Sequence, residues 1–300
     1  MAAILVIGST GMLGSAVAKF LASTNHEVVE SNTSGNSVIP SNVCVRFDIT
    51  TNSAEELLKL VSTPIDYIIN CSGVIKHKID DNELKSVKNA ERINSDFPRE
   101  LAIAGSAKSL RIIQIATDCV FSGSVGLYDE DSEHDATDIY GVTKSKGETK
   151  FDNLMILRCS VIGREINSHV EFIDWILGQT KKAKLNGFSN HLWNGITTLH
   201  FAKIVLGIVS TNTFKSGILH VVPSDSASKF EMINMVCKNF AREDIQIERA
   251  LAETAVDRRL DTKFPEMNRD LWLNAGYDKP LSIQEMISEY SNWVGAKKDV

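Results

Sequence analysis

The sequence predicts an α/β fold, in which a doubly wound parallel sheet carries a smaller C-terminal α/β lobe. Short apolar runs alternate with helical patterns through the first half of the 300-residue chain. Such alternation is typical of parallel sheets that helices cover on both faces. The length exceeds one typical domain but suits a sheet domain with an appended lobe. We therefore assign residues 1–160 to the sheet domain, and residues 161–300 mainly to a second lobe that is interleaved with it.

The individual elements follow from local patterns. Apolar, β-branched runs predict strands at residues 3–7, 27–31, 43–47, 66–70, 111–116 and 154–158. Ser-x-x-Glu capping boxes, which satisfy the free amides of a first helical turn, predict helices that begin after Ser53, Ser228 and Ser282. A further helix is predicted over 197–210.

A glycine-rich turn directly follows the first strand. It reads Gly8-Ser-Thr-Gly11-Met-Leu-Gly14 and precedes an amphipathic helix. Glycines in this context permit a tight turn and a close approach of the backbone to a pyrophosphate at the helix N-terminus. The pattern predicts a Rossmann-type dinucleotide site. Its predicted lining at the turn is Gly8, Thr10, Gly11, Met12, Leu13 and Gly14.

The end of the second strand bears on which dinucleotide is bound. An NAD site usually has a carboxylate there, which holds the ribose 2′-hydroxyl. Asn32 occupies that place, and Glu30 lies earlier within the strand. Without a carboxylate to repel a 2′-phosphate, the sequence favours NADP(H), and NAD(H) stays compatible. No arginine lies nearby in the sequence to strengthen the preference.

Tyr140 and Lys144 indicate which kind of reaction the protein catalyses. On a helix, residues four apart share a face, and Thr117 follows the fifth predicted strand. A phenol, an ammonium and a separate hydroxyl are the groups needed to protonate a carbonyl. A phenol with a pKa near ~10 is a poor acid–base group at neutral pH. We expect the Lys144 ammonium to lower that pKa toward the useful range.

Composition excludes several classes of protein. A net charge of −6 argues against a nucleic-acid partner. We find neither a signal peptide nor an apolar run long enough to span a membrane. Five scattered cysteines without a C-x-x-C pair suit reduced thiols in the cytoplasm. No histidine cluster has metal-ligand spacing, so we predict no metal site.

Longer motifs resemble a known group. These are Ala116-Thr-Asp-Cys-Val-Phe-Ser-Gly123, Tyr140-Gly-Val-Thr-Lys-Ser-Lys-Gly-Glu148, Asn70-Cys-Ser-Gly73 and Phe47-Asp-Ile49. Together with the glycine turn, they resemble the extended short-chain dehydrogenases/reductases, and most closely the dTDP-4-dehydrorhamnose reductase (sugar-nucleotide reductase) branch. The resemblance weakens after residue ~165, where the substrate would be recognised.

The resemblance implies roles by position. Tyr140 would protonate the substrate carbonyl, Thr117 would hydrogen-bond it, and Lys144 would hold the nicotinamide ribose. Further residues would contact the cofactor or support Lys144: Asp48, Ile49, Cys71, Ser72, Gly73 and Asn94. A nucleotide-linked keto-deoxysugar would be the substrate, in polysaccharide or deoxysugar biosynthesis, and a homodimer is compatible.

Candidate substrate contacts lie at several places along the chain. Lys76 follows the fourth strand, at the edge where open α/β sheets bind ligands. Trp193 stands where the family lines the sugar pocket, and Arg259 lies in a segment resembling the one that meets the nucleotide pyrophosphate. The reacting motif contributes Thr117, Cys119 and Val120. Trp193 also suits a half-buried core position, and Arg259 a surface one.

Cys119 departs from the family, which commonly has tyrosine there, whereas related dehydratases have an acidic residue. The thiol has no evident activator, so a simple reductase fits better than a dehydratase. Two alternatives stay open. One is a sugar-nucleotide epimerase or dehydratase, for which a further acid–base residue is not identified. The other is a non-catalytic, cofactor-binding regulatory subunit, because relatives of that kind keep the same three residues.

Overall fold

A seven-stranded parallel sheet forms the centre of the structure, a computed structural model that describes residues 1–295. Its strands lie in the order β3-β2-β1-β4-β5-β6-β11. They are β1 (Ala3–Ile7), β2 (Glu27–Asn32), β3 (Cys44–Arg46), β4 (Tyr67–Asn70), β5 (Arg111–Ala116), β6 (Leu154–Arg158) and β11 (Gly217–His220). The α/β fold class is confirmed, and the six predicted strands differ from those observed by one residue at a few ends.

Helices cover the sheet and build the second lobe. They are α1 (Met12–Leu21), α2 (Ala54–Leu60), α3 (Leu84–Glu91), α4 (Phe97–Ser106), α5 (Ile139–Lys146), α6 (Phe172–Leu177), α7 (Thr198–Thr211), α8 (Lys229–Asn239), α9 (Pro265–Asn274) and α10 (Ile283–Gly295). A short π-helix over Arg92–Asp96 joins α3 to α4. The three predicted capping boxes are present, each with reciprocal serine and glutamate bonds to the backbone.

The order of the strands determines where a ligand can bind. The chain runs outward from β1 to β2 and β3, then returns to place β4 on the other side of β1. At such a reversal the loops that leave neighbouring strands diverge, which opens a crevice at the carboxyl ends of the strands. Thr117 and the glycine turn both lie at this edge, since they follow β5 and β1.

The C-terminal half contributes to the central sheet as well as to its own lobe. Strand β11 pairs with β6, and α7 packs against α1. The lobe adds small sheets formed by β7 (Val161–Ile162), β8 (Lys184–Phe188), β9 (His191–Trp193), β10 (Ile196–Thr197), β12 (Ala227–Ser228), β13 (Gln246–Ala250) and β14 (Val256–Asp257). The boundary at residue 160 stays a prediction.

Apolar clusters occupy both faces of the sheet. One contains α1, α7 and much of the second lobe, and the other lies under α2 and α4. Both clusters exclude water from the strands, so the sheet is buried on its two faces. Within residues 1–295, no helix is both long enough and apolar enough to cross a membrane.

Candidate active site

The glycine turn after β1 has a backbone that only glycine suits. Gly8 has a φ of +77°, a conformation that side chains with a Cβ rarely adopt. At Gly14 a Cβ would lie 2.1 Å from the Gly8 carbonyl oxygen, whereas at Gly11 it would be 3.4 Å away. The first turn of α1 therefore packs directly on the turn that precedes it.

The N-terminus of α1 is free to bind an anion. Gly11 is its N-cap, no side chain caps the helix, and its first turn has no acidic residue. Unpaired amides and the helix dipole at such an end attract a phosphate. A cavity of about 270 Å³ begins here. Its lining includes Gly8, Thr10, Gly11, Asn32, Asp48, Ile49, Cys71, Ser72 and Gly73.

A second cavity, of about 410 Å³, continues from the first. The two share Thr10, Gly11, Cys71, Ser72 and Gly73 in their linings, so they form one cleft along the carboxyl edge of the sheet. A glycine-rich turn, a helix N-terminus without a side-chain cap and an elongated cleft fit a dinucleotide. The residues present therefore suit the cofactor that the sequence predicts.

No carboxylate at the end of β2 faces this cleft. The Asn32 amide bonds Ser9, the Asn36 carbonyl and the backbone of Gly35, which shapes the following loop. Glu30 is fully buried and accepts bonds from Val38 and Asn42. Asn32 thus lines the cleft with its amide already bonded within the protein.

Arg46 was missed by the sequence reasoning, which found no arginine near Asn32. It pairs with Asn32 across β2 and β3 and packs on Gly35, while its side chain is exposed. Pairing between strands brings together residues far apart in the sequence. A search of the β3 positions opposite Asn32 could have found it.

Thr117, Tyr140 and Lys144 all line the 410 Å³ cavity. Thr117 directly follows β5, where its hydroxyl caps a short 3-10 turn by accepting a bond from Cys119 N at 3.2 Å. Asp138 caps α5 through Gly141 N at 3.0 Å, which fixes the turn that carries Tyr140. The Lys144 ammonium is buried and donates to the Ile115 carbonyl at 3.1 Å.

The protonation of Tyr140 differs from the sequence expectation. Burial raises the pKa of the phenol, and the nearby Cys119 raises it further, while the Thr117 hydroxyl acts in the opposite direction. Burial also lowers the pKa of Lys144, and the Glu148 carboxylate opposes that change. In the cofactor-free protein the expected lowering of the Tyr140 pKa is therefore wrong, because desolvation of the phenol dominates its pKa. The phenol is held in its protonated form.

Asn94 connects α5 to the loop that follows β4 through hydrogen bonds of its side chain. Its amide accepts from Val74 N at 2.9 Å and donates to the Val74 carbonyl and to the Thr143 hydroxyl. Because Thr143 precedes Lys144, these bonds hold α5 against the loop that follows β4. A Cβ on Gly147 would lie 2.0 Å from the Asn94 carbonyl oxygen, so the contact is close. Support of Lys144 by Asn94 through the backbone stays a prediction.

Thiols line the cleft wall but are not activated. Burial raises the pKa of Cys71 to about 12 and that of Cys119 to about 12. Burial also raises the pKa of Asp118, against the charge of Arg258. A thiol at such a pKa is protonated at neutral pH and is a poor nucleophile.

Some of the predicted substrate residues line the 410 Å³ cavity, and the others lie outside its lining. Lys76 and Cys119 line the 410 Å³ cavity, and Lys76 forms an ion pair of 3.0 Å with Asp138. Val120 is fully buried beside Phe121. Trp193 and Arg259 also lie outside the lining of this cavity, and Arg259 is paired with Asp257 at 2.6 Å.

Sequence reasoning missed one wall of the cavity. The loop after β7 supplies Glu165, Ile166, Asn167, Ser168 and Glu171. The signal was available, because the loops that leave the carboxyl ends of neighbouring strands meet at this edge. The loop carries no recognisable motif, which explains the omission.

Comparisons with known proteins agree with this architecture. A family model described as the RmlD substrate binding domain matches residues 1–290. A probable low-salt glycan biosynthesis reductase of Haloferax volcanii, Agl14, is 29% identical over 163 residues, which make up 52% of this chain and 52% of that protein. The match thus spans about half the length of this curated relative.

Solved structures resemble the chain over nearly its whole length. A dTDP-4-dehydrorhamnose reductase from Bacillus anthracis in complex with NADP has a TM-score of 0.73 and 18% identity, with coverage of 96% of this chain and 98% of that one. A UDP-glucuronic acid 4-epimerase from Bacillus cereus in complex with NAD has a TM-score of 0.69 and 16% identity, covering 99% and 98%. At these identities the likeness shows the fold.

Proposed function

Because the chain belongs to the RmlD substrate binding domain family, we propose that it is an NADPH-dependent reductase of a nucleotide-linked keto-deoxysugar. The reaction converts a ring carbonyl to a hydroxyl, for deoxysugar or polysaccharide synthesis. A dTDP-linked 4-keto-6-deoxysugar is the first candidate substrate.

The observation that carries the proposal is the position of three side chains in one cleft. Thr117, Tyr140 and Lys144 line the cavity that continues from the glycine turn. A dinucleotide with its pyrophosphate at α1 would extend toward them. Substrate carbonyl and cofactor could therefore meet beside the phenol, in a space large enough for a sugar.

The chain's own residues supply position and a proton. The cofactor, when bound, supplies the hydride. Thr117 and Tyr140 donate hydrogen bonds to the carbonyl oxygen, and the Tyr140 proton passes to that oxygen as negative charge develops on it. A phenol held protonated by burial suits this acid role. Lys144, fixed by the Ile115 carbonyl, places a positive charge beneath the site.

NADPH is favoured by the end of β2. No carboxylate faces the ribose there, since Glu30 is buried among its own partners. Arg46, exposed beside Asn32, adds a positive charge that suits a 2′-phosphate. NAD(H) stays compatible as the second cofactor.

The setting is the cytoplasm, which the five unpaired cysteines support. Lys76 lines the cavity, and we assign to it a contact with a phosphate of the sugar nucleotide. Trp193 and Arg259 keep the proposed substrate role only if the lobe closes on the ligand, whereas the Val120 side chain is fully buried in its apolar cluster and is not proposed as a contact.

The proposal is tested by NADPH oxidation with purified protein and a panel of dTDP-, UDP-, GDP- and CDP-linked 4-keto-6-deoxysugars. Turnover of one sugar is expected, and Tyr140→Phe should lower kcat by about 100-fold or more, since it removes the general acid. Binding of NADPH, followed by its fluorescence, should be unchanged in the variant because the ring is retained.

The alternatives give different results. An epimerase or dehydratase would change the sugar without net oxidation of NADPH, which product analysis by NMR would show. A regulatory subunit would bind NADPH, reduce no sugar and co-purify with a partner enzyme. Either outcome would reject the reductase proposal.

A further inference from the structure

Glu171 lines the cavity, and no residue among 1–295 donates a hydrogen bond to its carboxylate. It lines the same cavity as Tyr140, and its charge acts on the phenol. Although Glu171 is the N-cap of α6, its side chain does not cap the helix. Within residues 1–295 its carboxylate has one polar contact, of 3.4 Å between Oε1 and His77 Nδ1.

Glu165, in the same loop, shows what a structural carboxylate does here. It accepts bonds from the backbone of Val170 at 2.6 Å and of Glu171 at 2.9 Å, and from the Ser168 hydroxyl. Glu165 thus organises the loop with both oxygens. The Glu171 carboxylate accepts no such bond within residues 1–295, and 28% of its side-chain surface stays accessible, so a ligand in the cavity can reach it.

Neighbouring side chains stabilise the charge of Glu171 without donating a hydrogen bond to its carboxylate. Burial raises its pKa, while His77, Lys78 and Lys229 lower it. Lys229 lies over the Phe172 ring at 4.6 Å and is itself partly buried. The carboxylate therefore has compensating charge nearby, and its free oxygen is available to a ligand in the cavity.

We propose that Glu171 binds the sugar of the substrate by accepting hydrogen bonds from its hydroxyl groups, and that its charge selects neutral sugars against sugars that carry a carboxylate. This inference rests on the proposed function, because it concerns the sugar end of the same cavity. A carboxylate accepts strong, charge-assisted bonds from hydroxyls. A uronic acid would place a second negative charge in the same space, which is unfavourable in a partly desolvated site.

The test measures binding, so that it does not depend on turnover. NADP⁺-saturated protein is titrated calorimetrically with two matched pairs: UDP-glucose with UDP-glucuronic acid, and dTDP-glucose with dTDP-glucuronic acid. The wild type should bind the neutral member of a pair at least about tenfold more tightly, the order expected for a charge-assisted bond. Glu171→Gln keeps the size and an acceptor oxygen but removes the charge.

The Gln variant should bind the neutral sugar about tenfold more weakly and lose most of the preference within a pair. Glu133→Gln is the control, since Glu133 is exposed and lies outside the cavity lining; it should behave as the wild type. Unfolding temperature and NADPH affinity should be the same in all three proteins, which separates recognition from folding.

Each other outcome overturns the inference in a distinguishable way. If the wild type binds a pair and Glu171→Gln leaves affinity and preference unchanged, the role of Glu171 is wrong, and the reductase proposal is unaffected. If no member of either pair binds the wild type, the inference is rejected as well. If a keto sugar is then not reduced either, the proposed function falls with it.

Discussion

Burial controls the protonation of the side chains around the reacting position. Tyr140, Cys71 and Cys119 all have raised pKa values, and Lys144 has a lowered one. In each case burial shifts the pKa in the direction that disfavours the charged form, because the charged form loses its hydration. The site thus holds one proton donor suited to a carbonyl and two thiols that stay out of the chemistry.

The thiols give a test at this scale. At a pKa of about 12, the thiolate fraction of Cys71 and of Cys119 near pH 8 is ~10⁻⁴. The thiolate fraction of an ordinary cysteine at that pH is about a quarter. We expect iodoacetamide to leave both unmodified over an hour in the folded, cofactor-free protein. Peptide mapping by mass spectrometry measures this.

Protein unfolded in urea is the control, and there every cysteine should be alkylated. Modification of Cys119 in the folded protein at a rate near that of glutathione would show that the thiol is activated. The structural reason for preferring a simple reductase would then be lost.

At the level of elements, the junction of β1 and α1 is the place where we propose that the cofactor binds. Its glycines differ in purpose. Gly14 lets the helix approach the Gly8 carbonyl, and Gly11 leaves space above the helix N-terminus. One is required by packing within the protein, and the other by the approach of a ligand.

We expect Gly14→Ala and Gly11→Ala to separate these roles. The methyl at position 14 would meet the Gly8 carbonyl at 2.1 Å, so the variant should lose about 1–3 kcal/mol of unfolding free energy, together with NADPH affinity. The methyl at position 11 meets the same atom at 3.4 Å. That variant should keep its stability and lose only NADPH affinity.

Urea unfolding and NADPH fluorescence titration measure the two quantities. Equal stability of Gly14→Ala and the wild type would mean that α1 can move away at no cost. Unchanged NADPH affinity in Gly11→Ala would place the pyrophosphate elsewhere.

At the level of the whole molecule, Arg158 links the two halves of the chain where both contribute strands to the central sheet. It is fully buried at the end of β6 and donates to Glu148 at 3.1 Å, next to α5. It also contacts His134 at 2.9 Å and, on the strand contributed by the second lobe, His220 at 2.7 Å. A buried ion pair such as Arg158 and Glu148 is costly to bury. Removing one partner is more costly, because the other charge is then left buried alone.

We therefore expect Arg158→Met to lower the free energy of unfolding by about 3–5 kcal/mol, since Glu148 would stay buried without its partner. The double variant with Glu148→Met should recover at least half of that loss. Urea unfolding of wild type, both single variants and the double variant completes the cycle.

Additive losses in the double variant would contradict this account. They would mean that Arg158 stabilises the protein through His134, His220 and the Phe121 ring beneath it, at 5.2 Å, independently of Glu148.

The sequence by itself determined the parts that depend on local chemistry. Alternating apolar runs predicted the strands, because burial on both faces requires continuous β-branched segments. The turn at Gly8 was predictable from glycine's own freedom, and the pair Tyr140 and Lys144 from helical spacing. All of these are set by residues within about one helical turn of one another.

Only the tertiary structure decided the rest. The position of Arg46 beside Asn32 depends on strand pairing, and the raised pKa of Tyr140 depends on what buries it. Glu171 lines the same cavity as Tyr140, although the two residues are 31 positions apart in the sequence. Burial and electrostatic interaction depend on distance in space, which the order of residues does not contain.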